Sequence, residues 1–143
     1  MESLTLAQAV AIAEKTLEAG RVAGYKPLTA AVLDSGGNLK VLIRDDGSDI
    51  LRPDIAIGKA WGALGMGMSS RAIAELASER PQFAGALSTL AGGKLVPAAG
   101  GLLMRDSGGE VVGAVGVSGD VSDNDEECAR LGIQSVGLTT ESD

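Results

Sequence analysis

Apolar residues recur at intervals of three and four over the first twenty positions, which is the spacing of one buried face of an α-helix. This stripe consists of Leu6, Val10, Ala13 and Leu17. Thr5 and Gln8 stand three residues apart at its start, the arrangement of a capping box, and Gly20 or Gly24 can end the helix. The pattern predicts an opening amphipathic helix.

Two pairs of apolar segments then follow the pattern of β-hairpins, and both pairs are joined by the same tetrapeptide, Asp-Ser-Gly-Gly. The segments are 28–33 with 39–44, and 101–105 with 110–118. Because this unit occurs only twice, it is not a solenoid repeat. It predicts an antiparallel sheet built from two similar hairpins.

Helical segments separate the hairpins and follow them. Pro53 suits the first turn of a helix that runs to about Gly65, and this helix is unusually rich in Gly and Ala, which indicates a close backbone approach to a sheet or to another subunit. Two short helices are expected next, one capped by Ser69 or Ser70 and ending at Ala77, and one from Pro81 through Leu87. A last helix is expected to be capped within 122–125 and to end near Gly132. The end of the chain at 139–143 is expected to be frayed. Hairpins alternating with helices predict an α+β fold, and 143 residues suit a single domain spanning 1–143.

Composition excludes several classes of function. The chain has no His, which removes Ser-His-Asp and Cys-His catalysis and any His-bound metal. Twelve basic and nineteen acidic residues give a net charge of −7, and aromatic residues make up 2%, so nucleic acid and anionic membranes are poor partners. With no recognisable signal peptide, no apolar run long enough to span a bilayer and only one cysteine, Cys128, we expect a cytoplasmic protein without metal ligands.

Three segments carry candidate chemistry. Arg44-Asp45-Asp46-Gly47 follows a strand and can orient a ligand carboxylate, or it is a charged loop. Lys59 is a single cation on a helix whose other residues are small and apolar. If Lys59 is buried, its pKa is lowered, which favours a carboxylate partner or a reactive role. If it lies at the edge of the helix, its side chain extends to solvent. The block 113–120 carries a glycine at every third position before a helix, which suits either a bound anion or close packing.

The acidic residues of the last helix have a simpler interpretation. They are Asp120, Asp123, Asp125, Glu126 and Glu127. Negative charge in the first turn of a helix matches the helix dipole, so we expect a solvated face. Their spacing differs from that of an EF-hand loop.

These segments together resemble the GlcG/HbpS family, whose members are described as haem-binding or haem-degrading domains and include the C-terminal domain of PduO-type proteins. The stretches that carry the resemblance are the opening helix, 31–37, Arg44-Asp45-Asp46-Gly47, 55–60, the pair Gly100-Gly101, 109–119, and the acidic stretch at 125–126. The resemblance implies a profilin-like (GlcG-like) layered domain with a five-stranded antiparallel sheet packed with helices. It also implies homo-oligomers, and a pocket in which Arg44, Lys59 and the block near Ser118 lie close together.

Two functional hypotheses follow. The first is a module that binds a small molecule such as haem or another tetrapyrrole and holds its carboxylates with Arg44, Lys59 and the amides of 117–119, that is Val117, Ser118 and Gly119. Without His, the conceivable iron ligands are Tyr25, Met66, Met68, Met104 and Cys128. The alternative is a cofactor-independent catabolic isomerase, lyase or hydrolase, in which Lys59 and Asp46 are the catalytic acid and base and Arg44 anchors a small organic acid or carbonyl compound. A third possibility is a structural subunit whose glycine-rich helix is an interface.

Overall fold

Five helices and four strands make up the fold in a computed structural model that describes residues 3–140. In chain order they are α1 (Leu6–Ala23), β1 (Thr29–Asp34), β2 (Leu39–Arg44), α2 (Arg52–Met66), α3 (Ser70–Glu79), α4 (Pro81–Leu90), β3 (Gly101–Arg105), β4 (Val111–Ser118) and α5 (Ser122–Gln134). Every helix and strand that the hydrophobic pattern predicts is present, which confirms the α+β class. Across residues 3–140, no helix combines the length and the apolar character needed to cross a bilayer.

The strands form one antiparallel sheet in the order β2-β1-β4-β3. The expectation of five strands is therefore wrong for the described part of the chain, which contributes four. After α5 the chain returns to the free edge of β3 only at Thr139, which forms an isolated bridge with Arg105. This contact is too short to make a strand, but it shows that the expected fraying does not extend to Thr139; residues 141–143 lie outside the described residues.

The two hairpin turns share one hydrogen-bonding scheme. Asp34 Oδ1 accepts from the amides of Gly36 and Asn38, and Asp106 Oδ1 accepts in the same way from Gly108 and Glu110. The last glycine of each tetrapeptide has a φ near +80°, a conformation that other residues adopt only with strain. The repeated Asp-Ser-Gly-Gly is thus explained by the turn itself.

Helices cover both faces of the sheet and so create two hydrophobic cores. The larger core lies between the sheet and the pair α1 and α5, and it includes Ile12, Val115 and Ile133. The smaller core lies between the sheet and α2, where Leu33 and Leu103 meet alanines of the helix. This arrangement confirms the layered fold that the resemblance implies.

The caps of α1 and α3 agree with the sequence analysis, whereas some helices run further than expected: α3 ends at Glu79 rather than Ala77, and α4 ends at Leu90 rather than Leu87. Thr5 and Gln8 form the capping box of α1, Gly24 ends that helix, and Ser69 caps α3. The expected cap of α5 within 122–125 is wrong. The N-cap residue is Val121, and among the described residues no side chain forms a capping hydrogen bond at this helix start. The reason is that residues 122–125 already form the first turn of α5, so none of them occupies the N-cap position.

Helix α2 lies unusually close to the sheet because small residues face each other across the contact. A Cβ on Gly116 of β4 would overlap the carbonyl oxygen of Ala56, and one on Gly101 of β3 would overlap the carbonyl oxygen of Lys59. On the outer side of α2, Gly58 and Gly62 are packed against Val96 and Leu95 of the same chain. The glycine-rich composition of α2 therefore serves contacts within the chain, and these two glycines do not face a neighbouring subunit.

We predict that Gly116→Ala lowers the free energy of unfolding by about 1 to 3 kcal/mol, because the new methyl group has no room against the α2 backbone. The control is Gly65→Ala in the same helix, where a Cβ meets nothing within 4 Å. That change should raise stability by about 0.5 to 1 kcal/mol, since alanine favours helix. Urea unfolding of the three proteins measures the differences, and equal stability of the two variants would contradict the close contact.

Candidate functional site

Lys59 is a buried cation that joins the two helical layers at one end of the sheet. Its side chain is 3% exposed and extends from α2 past the end of β4. The ammonium group donates a hydrogen bond of 2.8 Å to the carbonyl oxygen of Val117 and one of 3.2 Å to Oδ2 of Asp125. Asp125 belongs to α5, on the opposite face of the sheet, and is 1% exposed. Of the two interpretations left open for Lys59, burial beside a carboxylate is therefore correct, and extension to solvent is not.

Burial dominates the electrostatics of this pair. It lowers the pKa of Lys59, and the attraction of Asp125 opposes the change only in part, while the positive charge of Arg52 lowers the pKa further. Burial likewise raises the pKa of Asp125, against the effects of Lys59 and of the Asp120 amide that donates to Oδ1. Both partners thus lose more hydration than their attraction restores, which is typical of ion pairs in protein interiors.

A row of polar residues crosses the sheet beside this pair. Thr29 of β1 is paired in register with Arg44 on one side and with Ser118 on the other. The hydroxyl groups of Thr29 and Ser48 share a hydrogen bond of 2.8 Å, and Arg44 Nη1 donates to the carbonyl oxygen of Ser48 at 2.6 Å. Arg52 of α2 completes this polar row by donating from Nη1 to Ser118 Oγ at 3.1 Å. Two guanidinium groups therefore stand at the end of the sheet where Lys59 is buried.

The sequence-predicted residues divide between surface and interior. Arg44 and Asp46 are exposed, whereas Val117, Ser118 and Gly119 are buried. Gly119 is held closely against the carbonyl oxygen of Pro27. The carboxylate that pairs with Lys59 is that of Asp125 rather than that of Asp46, whose amide donates to Asp45.

Two members of this arrangement were not among the sequence candidates. Arg52 precedes Pro53 at the start of α2, a position from which a long side chain reaches back over the sheet end. Asp125 was assigned to a solvated acidic face, and that interpretation is wrong for Asp125 and for Glu126, both of which are buried. Glu126 binds Arg71 of α3 at 3.0 Å. The first turn of α5 therefore faces the other helices, and its only sequence signal was the number of acids within it.

A groove of about 560 Å³ runs along the outer side of α2, and we call it the α2 groove. One wall is Leu51 with α2 from Asp54 to Trp61, and the others are the β1–β2 turn at Gly37 and the loop at 93–96. Its lining is mainly apolar, and Asp54 and Lys94 are the charged side chains among the described residues that form it. The ammonium group of Lys94 lies 5.5 Å from the centre of the Trp61 ring, within the range of a cation–π contact.

Removing one partner of the buried pair should be costly. We predict that Lys59→Met lowers the free energy of unfolding by about 3 to 5 kcal/mol at neutral pH, because Asp125 is left buried and unpaired. The double variant Lys59→Met/Asp125→Leu should recover part of this loss. Lys15→Met, which removes an exposed pair with Glu18, is the control and should change stability by less than about 1 kcal/mol.

The loss in Lys59→Met should also depend on pH. Without Lys59, only the hydrogen bond from the Asp120 amide still opposes the effect of burial on Asp125, so the pKa of Asp125 in the folded state rises further above the unfolded value. Below the unfolded pKa the carboxyl group is neutral in both states and costs little, whereas stability falls as pH rises through the folded pKa. Unfolding curves at about pH 4 and pH 7 should therefore show the smaller loss at pH 4, and an equal loss at both values would contradict an unpaired Asp125.

Three solved structures are similar to this chain over almost its whole length. The complex of PduOC with haem superposes with a TM-score of 0.87 at 20% identity, covering 97% of this chain and 99% of that one. HbpS of Streptomyces reticuli, solved as a double mutant, gives a TM-score of 0.83 at 29% identity, with 96% and 89% covered. Klebsiella pneumoniae protein ORFY gives 0.85 at 25% identity, with 94% and 90% covered. No curated protein sequence matches the chain significantly.

A family model agrees with these structural similarities. The model described as haem degrading protein HbpS-like matches residues 4–134, which include every helix and strand of the fold. The segments whose order suggested this family from the sequence all lie within the matched residues. The chain belongs to the HbpS-like family of haem-degrading proteins.

Proposed function

We propose that this protein binds a small, largely apolar molecule that carries carboxylate groups, with a tetrapyrrole such as haem as the ligand class. The observation that carries the proposal is the α2 groove, in which an aromatic ring, aliphatic side chains and a cation meet. Its volume of about 560 Å³ lies within the usual range for small-molecule sites. Membership of a haem-related family and the similarity to a haem complex support the same class of ligand.

The apolar body of the ligand would lie against Trp61 and the isoleucines of α2. An aromatic macrocycle gains most from burial against flat, apolar side chains, and the face of Trp61 offers such a surface. Lys94 already lies over this ring, so a ligand that stacks there would meet the ammonium group at its edge. This geometry suits a planar molecule whose carboxylates project from one side.

The two arginines of the polar row are further candidate anchors for carboxylates. Arg44 is exposed and Arg52 is partly exposed, and each has N–H groups beyond those used in the bonds described above. Lys59 is less accessible, because its ammonium group is buried between Val117 and Asp125. In this proposal Arg44 and Arg52 contact the ligand, whereas Lys59 and the backbone of 117–119 hold the shape of the sheet end beneath them.

Catalysis by Lys59 remains the alternative. The lowered pKa of Lys59 favours the neutral amine that a nucleophile or base requires. However, a reaction at Nζ would require the substrate to displace Asp125, and Asp46 is not a hydrogen-bond partner of this amine among the contacts described. Binding is therefore preferred to catalysis.

A titration with hemin tests the proposal, and Trp61 is the natural probe because it is the only tryptophan in the sequence. We predict saturable quenching of Trp61 fluorescence together with a shifted Soret band at micromolar hemin. Lys94→Ala should weaken binding about five- to tenfold, which corresponds to the loss of one charged contact of about 1 kcal/mol. Arg44→Ala and Arg52→Ala should each weaken it by a similar factor.

Lys15→Ala is the control, because it removes an exposed cation of α1, a helix that does not line the groove. Equal weakening by all four variants would indicate a general effect of charge and would contradict a specific site. Absence of any saturable change would overturn the proposal for tetrapyrroles.

We also propose that the protein forms homo-oligomers through α4. Within residues 3–140, this helix buries none of its residues, and it packs mainly on α3. The segment 81–93 holds no charged residue in a chain with a net charge of −7, so two copies repel each other least there. Phe83 and Leu90 are 40% and 85% exposed and lie seven residues apart, on the same side of the helix.

Light scattering tests this assembly. We predict that Leu90→Glu shifts the protein toward the monomer, because it places a carboxylate on each side of an apolar contact. Val22→Glu on α1 is the matched control, since Val22 is 83% exposed and equally apolar but lies in a charged helix. An unchanged mass for Leu90→Glu, or the same change for both variants, would contradict an interface at α4.

A further inference from the structure

The iron of a haem needs a protein side chain if the protein is to hold it directly, and the common ligands are His, Cys, Met and Tyr. The sequence contains no His. Within residues 3–140, the remaining candidates are Tyr25, Met66, Met68, Met104 and Cys128. None of these five is among the described residues that line the α2 groove.

Two of the candidates are locked inside the larger core. Met104 is 0% exposed and Cys128 is 2% exposed, and both pack against the residues between the sheet and the pair α1 and α5. Burial raises the pKa of the Cys128 thiol to about 11, so the thiolate that binds iron is scarce at neutral pH. Both residues also lie on the face of the sheet opposite to α2.

The other three candidates are more accessible but lie elsewhere. Tyr25 packs against the larger core, on the α1 side of the sheet. Met66 is the last residue of α2, and Met68 follows the left-handed Gly67 that ends the helix. The part of α2 that lines the groove extends from Asp54 to Trp61, so both methionines lie beyond its end.

Resting on the proposed function, we infer that this chain holds a tetrapyrrole by its ring and its carboxylates and supplies no ligand to its metal. The groove offers Trp61, aliphatic side chains and Lys94, all of which contact parts of the molecule that do not change when the metal is absent. The binding free energy should then come from burial of the macrocycle and from charged contacts to the propionates. A porphyrin without metal is therefore as good a ligand as haem.

The test compares hemin with metal-free protoporphyrin IX on the full chain, using quenching of Trp61 fluorescence. We expect dissociation constants within about threefold of each other, a difference of less than 1 kcal/mol. Lys94→Ala should weaken both ligands by the same factor. Absorption and electron paramagnetic resonance spectra of the hemin complex should show no axial thiolate, thioether or phenolate.

Variants of the accessible candidates provide the second arm. Met66→Leu, Met68→Leu and Tyr25→Phe keep the approximate size of each side chain and should leave hemin affinity and spectra unchanged. Binding of hemin more than about tenfold tighter than that of protoporphyrin IX, with loss of this advantage in one of the three variants, would overturn the inference and leave the proposed function intact. Failure of both porphyrins to bind saturably would overturn the proposed function, and the inference with it.

Discussion

The close contact between α2 and the sheet is the constraint on which the rest of this structure depends. Gly116 and Gly101 give the helix room to lie directly on the strand backbones, and alanines complete the contact from the other side. Only at this short distance does the side chain of Lys59 reach past β4 to Asp125. A bulkier residue at either glycine would push against the backbone of α2, the helix that carries Lys59, so packing and electrostatics at this end of the molecule are linked.

The buried pair and the accessible charges have different tasks in this arrangement. Lys59 and Asp125 connect layers on opposite faces of the sheet, and their hydrogen bonds are made within the protein. Arg44 and Arg52 are at least partly exposed beside this pair, and Lys94 lines the α2 groove. In the proposed function these three residues contact the ligand, and none of them belongs to the buried pair that joins the layers.

Family membership and side-chain chemistry constrain the function in different ways. The family model places the chain among proteins described as haem degrading and HbpS-like. The described residues provide an apolar groove with a cation, and none of Tyr25, Met66, Met68, Met104 and Cys128 lines this groove. This chain thus shares its fold with solved structures at 20–29% sequence identity. The chemistry available at a site depends instead on the individual side chains.

The sequence by itself determined the elements, their order and the family, because helix periodicity, capping residues and the repeated Asp-Ser-Gly-Gly turns are local signals. It left open whether Lys59 is buried or extends to solvent, since small and apolar helical neighbours are compatible with both. The tertiary structure decided that its partner is Asp125, 66 residues away, and that Arg52 meets Ser118 at the same separation. It also reduced the expected fifth strand to one bridge and placed Lys94 over Trp61. Periodicity indicates which face of an element is covered, but the group that covers it is set by how the layers pack.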